Sequence, residues 1–529
     1  LLNFSAFKVT ASLNCQLTFQ LNSRTIRPMP NRKTFLILFL SAFVLRLAFG
    51  LLRSQIWEID QLQTYLIGLK CFTTHSWPYF GPDVNGLENK AFQSQIPGAM
   101  EGLLIGLPFY ILPIPEAPFI LLNLLSVIGV ALLTWYIVKR LPEISYVWLF
   151  IWISVVPWSI QESTTIINPA FTFLPAILFF IGFMESIPRF SLNRISPFWA
   201  NAAMGFSLCW IMQFHFSYVY FIPLAMLSLI LQTFYAKRPV AFLYFILGCL
   251  PTLALIIPTY IQYGLGRNNV SSGFVVPFNW SNVREFWTIL ARFLSLVCFE
   301  LPRFLGIDTK ARIQFLTDHA WLFVPGAILW IVGLLQPLVL LLVWSRQLFK
   351  NLKWLPLIVF LAVFIILSFD SVDINKAFYL LASDKGRVLH ALWISLLAAG
   401  LTRLFSYGLS FLPQTDPGPH WKELNWLLAA VFLMIYSSFW FTSKLALSHI
   451  YFIFFPLLMT YSCYVWIKFK KSGVWFARAF ILLGVLFQIG YAITVAPRDS
   501  IYPKRDTICK AIQEENYRVF GERRAGSMY

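Results

Sequence analysis

The stretch SQIWEIDQLQTYLIGLKCFTTHSWPYFGPDV, residues 54–84, follows directly on an apolar run and carries Glu58 and Asp60 at the mouth of that run. A carboxylate at a membrane surface can take the proton of an acceptor hydroxyl or amine as it attacks, which is general-base chemistry. Ionisable groups kept close to a bilayer are costly, so they are functional candidates by default. Residues two apart cannot share a helix face, so at most one of the pair enters a given cavity. Asp60 is the candidate base and Glu58 its alternate. The plainer alternative is a solvated acidic pair, or a partner for Arg53.

Reactions that release a phosphate are helped by cations that neutralise the leaving charge. Arg387, Lys444 and His449 lie near the ends of apolar runs and are the candidates for such a grip. Each has a simpler reading, with Arg387 pairing Asp384 and Lys444 binding lipid head groups. His215, Glu162 and Glu101 are candidates for lining a cavity or binding an acceptor, although a single His between two spans commonly serves as a satisfied polar residue in a helix bundle. Asp60, Glu162, Asp370 and Asp373 could offer hard oxygen ligands for a divalent metal, but their spacing forms no recognisable coordination pattern to support one, and no cofactor is expected.

These groups must be held by a membrane framework. The chain is 58% hydrophobic and only 12% charged, with 53 Phe and 20 Trp in 529 residues, a balance outside the range of soluble domains. A hydrocarbon core of about 30 Å needs roughly 20 apolar residues per helix. Thirteen segments read as spans: 33–52, 117–138, 145–161, 169–187, 199–213, 216–233, 240–261, 321–345, 354–369, 389–406, 424–441, 450–467 and 474–495. Alternating from a cytoplasmic N-terminus, every loop expected inside carries Lys or Arg, from Lys139 and Arg140 through Arg189, Arg194, Lys237, Arg238, Arg346, Lys350, Lys353 and Lys422 to Lys468, Lys470 and Lys471, as the positive-inside rule requires. The net charge of +18 is therefore a topology signal spread between spans, with no nucleic-acid partner implied. Residues 1–32 form an N-terminal cytoplasmic tail in which Met29 is a candidate start, 33–495 the transmembrane domain, and 496–529 a short outer tail. The segment IPGAMEGLLIGLPFYILPIP reads as an interfacial helix, as do parts of 262–320, where Arg284, Arg292, Arg303, Trp287 and Phe293 suit head-group anchoring. Seven cysteines lie singly and read as structural thiols.

Four pieces, in order, resemble the bacterial protein O-mannosyltransferase and aminoarabinose transferase superfamily of C-type fold (GT-C) membrane glycosyltransferases. DQLQTYLIGLKCFTTHSWPYFGPDV with QIPGAMEGLLIGLPFYILP is similar to its first outer loop, including a Gly-Pro turn. TTIINPAFTFLPAILFF resembles its Asn-Pro entry to the fourth span, GFSLCWIMQFHFSYVYFIPLAML its Gln-x-His-Phe segment, and SKLALSHIYFIFFPLLM a late span opening. The likeness covers most of residues 33–467. Where the family has Asp-Glu, this chain has Asp60-Gln61, and where relatives often carry Arg it has His449.

The resemblance implies an all-α polytopic GT-C-like bundle of about 13 transmembrane helices with interfacial helices in the outer loops. It also implies transfer of a sugar, with inversion, from a polyprenyl-phosphate donor to a protein, lipid or glycan acceptor at the periplasmic face of a bacterial inner membrane. Membrane lipids are the other expected partners. A lipid or solute transporter is the rival class, and an envelope-assembly scaffold with a degenerate site a third, kept open by Gln61. Clear broken helices with mid-span polar groups, the mark of many transporters, are not evident from the sequence.

Overall fold

The computed structural model describes residues 30–53, 59–83, 95–264, 276, 278–305, 309–349, 354–369, 386–410, 421–443, 446–467, 473–495 and 505–516. The chain opens with α1 (Arg32–Arg53), α2 (Ile59–Thr74), a hairpin of β1 (Phe80–Asp83) and β2 (Gln95–Pro97), α3 (Met100–Ile111) and α4 (Ala117–Arg140). There follow α5 (Tyr146–Val155), α6 (Pro157–Glu162), α7 (Phe173–Ser186), α8 (Pro197–Met212), α9 (Phe221–Ile230), α10 (Val240–Leu253) and α11 (Ile257–Tyr263). Four short helices come next, α12 (Trp280–Val283), α13 (Phe286–Leu294), α14 (Leu301–Leu305) and α15 (Thr309–Asp318). The rest are α16 (Phe323–Phe349), α17 (Leu355–Phe369), α18 (Gly386–Ser410), α19 (Trp421–Phe439), α20 (Phe455–Ile467), α21 (Gly473–Val495) and α22 (Arg505–Gln513).

This is an all-helical polytopic membrane protein. Seven helical stretches among the described residues are long and apolar enough to cross a membrane: Arg32–Arg53, Ala117–Arg140, Asn168–Ser186, Phe216–Tyr235, Ala320–Leu342, Ser448–Trp466 and Ala477–Thr494. The pair α10 and α11, bent by 61°, makes an eighth if taken as one broken span. Other expected spans are helical but shorter or interrupted. Residues 145–161 divide at Pro157 into α5 and α6, because proline lacks the amide hydrogen that would continue the ladder. At 12 residues, α3 is about 18 Å long and cannot cross the hydrocarbon core, in line with its reading as an interfacial helix. The helices over 280–318 are likewise short, with Trp287 exposed, but Phe293 is buried against Trp158, Phe432 and Tyr451. Phe293 therefore packs the core where head-group anchoring was expected, since α13 is strongly amphipathic and turns its Ile289, Leu290, Phe293 and Leu294 face inward.

Contacts sort the loops into two ends. At one end the buried Glu185 carboxylate lies 3.6 Å from Arg140 and accepts hydrogen bonds from the Leu192 and Arg194 amides, while Arg189 pairs with Glu423 at 3.5 Å. These are neighbours of the clusters expected on one common face. At the other end the hairpin meets α8 and α11: Gly98 lies against Gln213, and the Thr259 hydroxyl donates to the Tyr79 carbonyl at 2.7 Å. There too α22 docks, with Ile508, Ala511 and Ile512 packed against the apolar faces of α2 and α3 and Arg505 on Glu116 at 2.6 Å. The first loop and the C-terminal segment thus share one end, so an even number of crossings separates them. The hairpin was unforeseen. Gly81-Pro82, expected as a turn, lies inside β1, which pairs antiparallel with β2 in a register that shifts between Phe80 and Asp83.

Candidate functional site

The end that holds the first loop also gathers polar side chains from several separate elements. Asp60 is the second residue of α2; its side chain, like that of Arg387 near the start of α18, lies outside the described residues, as do Glu58 and Lys444 altogether. The helix that carries Asp60 packs closely on α3 further along its length. Small residues let α2 and α3 approach closely: Gly102 meets Ile67 and Pro78, Gly106 meets Cys71 and the Gly68 carbonyl, and Gly68 meets Ile105. This is the small-residue spacing that allows helix backbones to touch. Thr64, one turn after Asp60 and on the same face, approaches the carboxyl of Glu101 on α3.

Glu101 is fully buried, with Oε2 over Gly81 of the hairpin, and neither carboxyl oxygen has a partner in good hydrogen-bond geometry. Burial pushes this carboxyl well above the usual carboxylate range, with the Thr64 side chain opposing the shift only in part. Against Gly98, just after β2, Gln213 donates to the Thr252 carbonyl at 2.8 Å while its own buried Oε1 has no partner. Buried polar atoms left over by the protein are where a ligand or water is accommodated.

Two residues beyond Gln213, His215 ends the turn after α8. Its Nδ1 accepts from the Ser217 amide at 3.2 Å, which leaves Nε2 as the proton-bearing nitrogen of the neutral ring. Burial, reinforced by His449, lowers its pKa to about 3. The two imidazoles stand nearly perpendicular, 5.8 Å between centroids. His449 lies in the helical turn Ser448–Phe454, whose first residue donates through its hydroxyl to Glu162 at 3.2 Å. Tyr451 in the same turn is within electrostatic reach of Glu162, Arg292 and Glu300. Arg292 of α13 pairs with Glu300 at 2.6 Å and donates to the Ala446 carbonyl at 2.6 Å. The turn that returns Glu300 to Arg292 passes through Leu296 and Val297, both with positive φ, 52° and 63°, a strained choice for bulky residues that clusters at functional sites.

The structure therefore brings His215 against His449, sets Glu162 on Ser448 beside that His, and places Glu101 under the neighbouring hairpin. It adds Arg292, Glu300 and Gln213, which sequence reading did not assign to the site. Arg292 was visible only as an interfacial cation; its pairing with Glu300 is made by the 295–298 turn. Among the described residues no three His, Cys, Asp or Glu side chains are grouped to hold a metal ion. The six cysteines among the described residues are free thiols, five of them buried, and Cys209 and Cys249 meet across α8 and α10.

Sequence reading also missed Arg46, in mid-span on α1 and fully buried. The α5–α6 break strips the carbonyls of Ser154 and Val155 of their helical donors, and inside a membrane such groups must find others. Arg46 Nη1 donates to the Ser154 carbonyl at 2.7 Å and Gln488 to that of Val155 at 3.1 Å. The signal was in plain view as one Arg in LSAFVLRLAFG. Comparison with family models, with curated proteins and with solved structures finds no match to this chain.

Proposed function

We propose that this protein is an inverting glycosyltransferase that moves a sugar from a polyprenyl-phosphate donor to an acceptor at the periplasmic face of a bacterial inner membrane. The observation that carries the reading is that, at the end of the bundle that holds the first loop, His215 faces His449, Ser448 beside it donates to Glu162, Arg292 donates to the Ala446 carbonyl, and Thr64 of α2, one turn after Asp60, approaches Glu101. In this reading Asp60 takes the acceptor proton as the acceptor attacks the anomeric carbon, and the sugar–phosphate bond breaks as the new glycosidic bond forms. His215 and His449, with Arg292 alongside, face the departing phosphate, and Arg387 and Lys444 are further candidates for that role. Glu162 and Glu101 line the acceptor side. The topology proposed with it has about thirteen spans, a cytoplasmic N-terminus and a periplasmic C-terminus, the shared end of the first loop and α22 being the outer one. The apolar, exposed faces of α9, α10 and α18 suit lateral access for a lipid carrier from the bilayer.

A transporter is the second reading, favoured by two observations: the 61° break between α10 and α11 and the charged Arg46 buried in mid-span, both features of transport folds. One experiment separates the two. Protein reconstituted in membranes is given a panel of polyprenyl-phosphate sugars, and Asp60→Asn is compared with the parent. Transfer by the parent and a loss of about 100-fold or more in the variant supports the transferase. Movement of lipid or solute across vesicles, with no donor turned over, supports the transporter.

A further inference from the structure

Gln161, the residue before Glu162 in α6, is buried, and neither its Nε2 nor its Oε1 has a hydrogen-bond partner among the described residues. Other buried amides place at least one end. Gln336 donates to the Leu294 carbonyl at 2.9 Å and Gln488 to that of Val155 at 3.1 Å, while Asn201 and Gln232 exchange bonds of 2.9 Å in both directions. An amide brings two donor hydrogens and two acceptor lone pairs, and burying all of them unmet is destabilising unless something else meets them.

The neighbours of α6 show which way this amide turns. Successive helical residues lie about 100° apart. Ser159 and Ser163 turn to Arg46, and Ile160 packs in one cluster with Leu301 and Leu322. Trp158, three residues before Gln161 and so beside it on the helix surface, rests against Phe293 and against Tyr451, whose ring centroid is 5.8 Å away. Gln161 therefore falls between the direction of Ile160, toward Leu301, and that of Trp158, toward Tyr451. The polar groups on that side are Tyr451, Arg292 and Glu300, the last in the turn Cys298–Glu300 and held by Arg292 at 2.6 Å. Two further buried atoms there lack a partner in good hydrogen-bond geometry, the Tyr451 hydroxyl and the Trp158 indole nitrogen.

The unmet groups are all neutral and include donors and acceptors. A phosphate only accepts, so it would leave the Gln161 oxygen unmet; a hydroxyl both donates and accepts, and neighbouring ring hydroxyls can meet an amide at its two ends. The set stands beside Glu162, assigned above to the acceptor, and beside Arg292, assigned to the departing phosphate, and a transferred sugar lies between those two groups. We infer that Gln161, with Tyr451 and Trp158, forms a neutral subsite for hydroxyls of the transferred sugar, in which Gln161 selects the hydroxyl that the enzyme requires. The identity of the ligand rests on the function proposed above.

The test is binding to the full chain in detergent, followed by tryptophan fluorescence. The probes are polyprenyl-phosphate mannose, glucose and galactose and, for the sugar bound tightest, its analogues lacking one hydroxyl each. The parent should bind that sugar about 10-fold or more tighter than one of the analogues. Gln161→Met should bring the ratio to about one by weakening the sugar and sparing the analogue. Without ligand the variant should melt no lower than the parent, because the atoms it removes have no partner. A Gln161→Met protein that discriminates the analogues as the parent does overturns the inference, and a lowered melting temperature beside it would assign the amide to the fold. If Gln161→Met does not fold, Tyr451→Phe, which removes one oxygen, decides: unchanged discrimination at every hydroxyl overturns the inference equally. A parent that binds with this pattern and transfers nothing removes the proposed function and leaves the subsite. Transfer by a parent whose discrimination survives in Gln161→Met removes the subsite and leaves the function, and a parent that binds no sugar removes both.

Discussion

The close approach of α2 to α3 is the feature on which the place of Asp60 depends, and Gly68→Ala perturbs it directly. A Cβ at Gly68 would stand 2.3 Å from Ile105 Cγ2, 2.5 Å from its Cβ and 2.8 Å from its carbonyl carbon. Carbon atoms rest at about 3.5–4.0 Å, and a Cβ and a backbone carbon cannot rotate aside, so α2 must move away from α3 by about 1 Å or more. Overpacking of this kind costs about 1–3 kcal/mol, against which alanine in a helix returns about 0.5–1 kcal/mol. The net expectation is a lower melting temperature, by about 1–2 kcal/mol of stability. If Asp60 is the base, a displacement near 1 Å should cut kcat on the order of 100-fold. Gly400→Ala on α18, with nothing within 4 Å of the new Cβ, is the control and should be neutral or slightly stabilising. Tryptophan-fluorescence melting in detergent and the reconstituted transfer assay read the two arms. Parent-like melting and parent-like kcat in Gly68→Ala would show that α2 and α3 are not packed as described.

Two further expectations concern pH. Glu101 keeps its proton in the folded state when the unfolded chain has lost it, so its contribution to stability falls as pH rises above about 4.5; Glu101→Gln should therefore match the parent near pH 4 and melt progressively higher than it up to pH 8. His215 has the opposite sign: with a folded pKa of about 3 against 6.5 for the ordinary group, stability is lost as pH falls from 6.5 toward 3, because the unfolded chain takes up a proton that the folded one refuses. His215→Asn, which keeps an acceptor for the Ser217 amide, should be less acid-sensitive than the parent over that window. Equal acid sensitivity of the two would place His215 in water.

Much of the architecture was legible because membrane helices are written in run length. The segments 33–52, 117–138, 169–187, 216–233, 321–345, 450–467 and 474–495 each coincide with a helix long and apolar enough to cross, and the segment around Met100–Ile111, set apart from the spans because counting it as one would reverse every later loop, is a helix of 12 residues, too short to cross. Composition assigned the class, and the positions of Lys and Arg sorted loops such as those of Arg140 and Arg189 into one group that contacts now bring together. Hydropathy is a local, additive property, so these results need no knowledge of what touches what.

The site was another matter. That His215 would face His449, more than 200 residues away, and that Glu101 would be sealed under Gly81 are outcomes of packing between separate segments, and that Arg292 would pair with Glu300 depends on a left-handed turn that residue types such as Leu296 and Val297 do not announce. Arg46 was visible as a letter but not as a bracket, because its partners, Ser126, Ser154, Ser159 and Ser163, are unremarkable until Pro157 breaks a helix beside them. The sequence by itself determined a multi-span helical membrane protein and the order of its elements, since burial in lipid depends on residue type and run length alone. Only the tertiary structure decided which polar groups meet, since an ionisable side chain in a membrane is tolerated where three-dimensional neighbours satisfy it, and chain order does not say which neighbours those are.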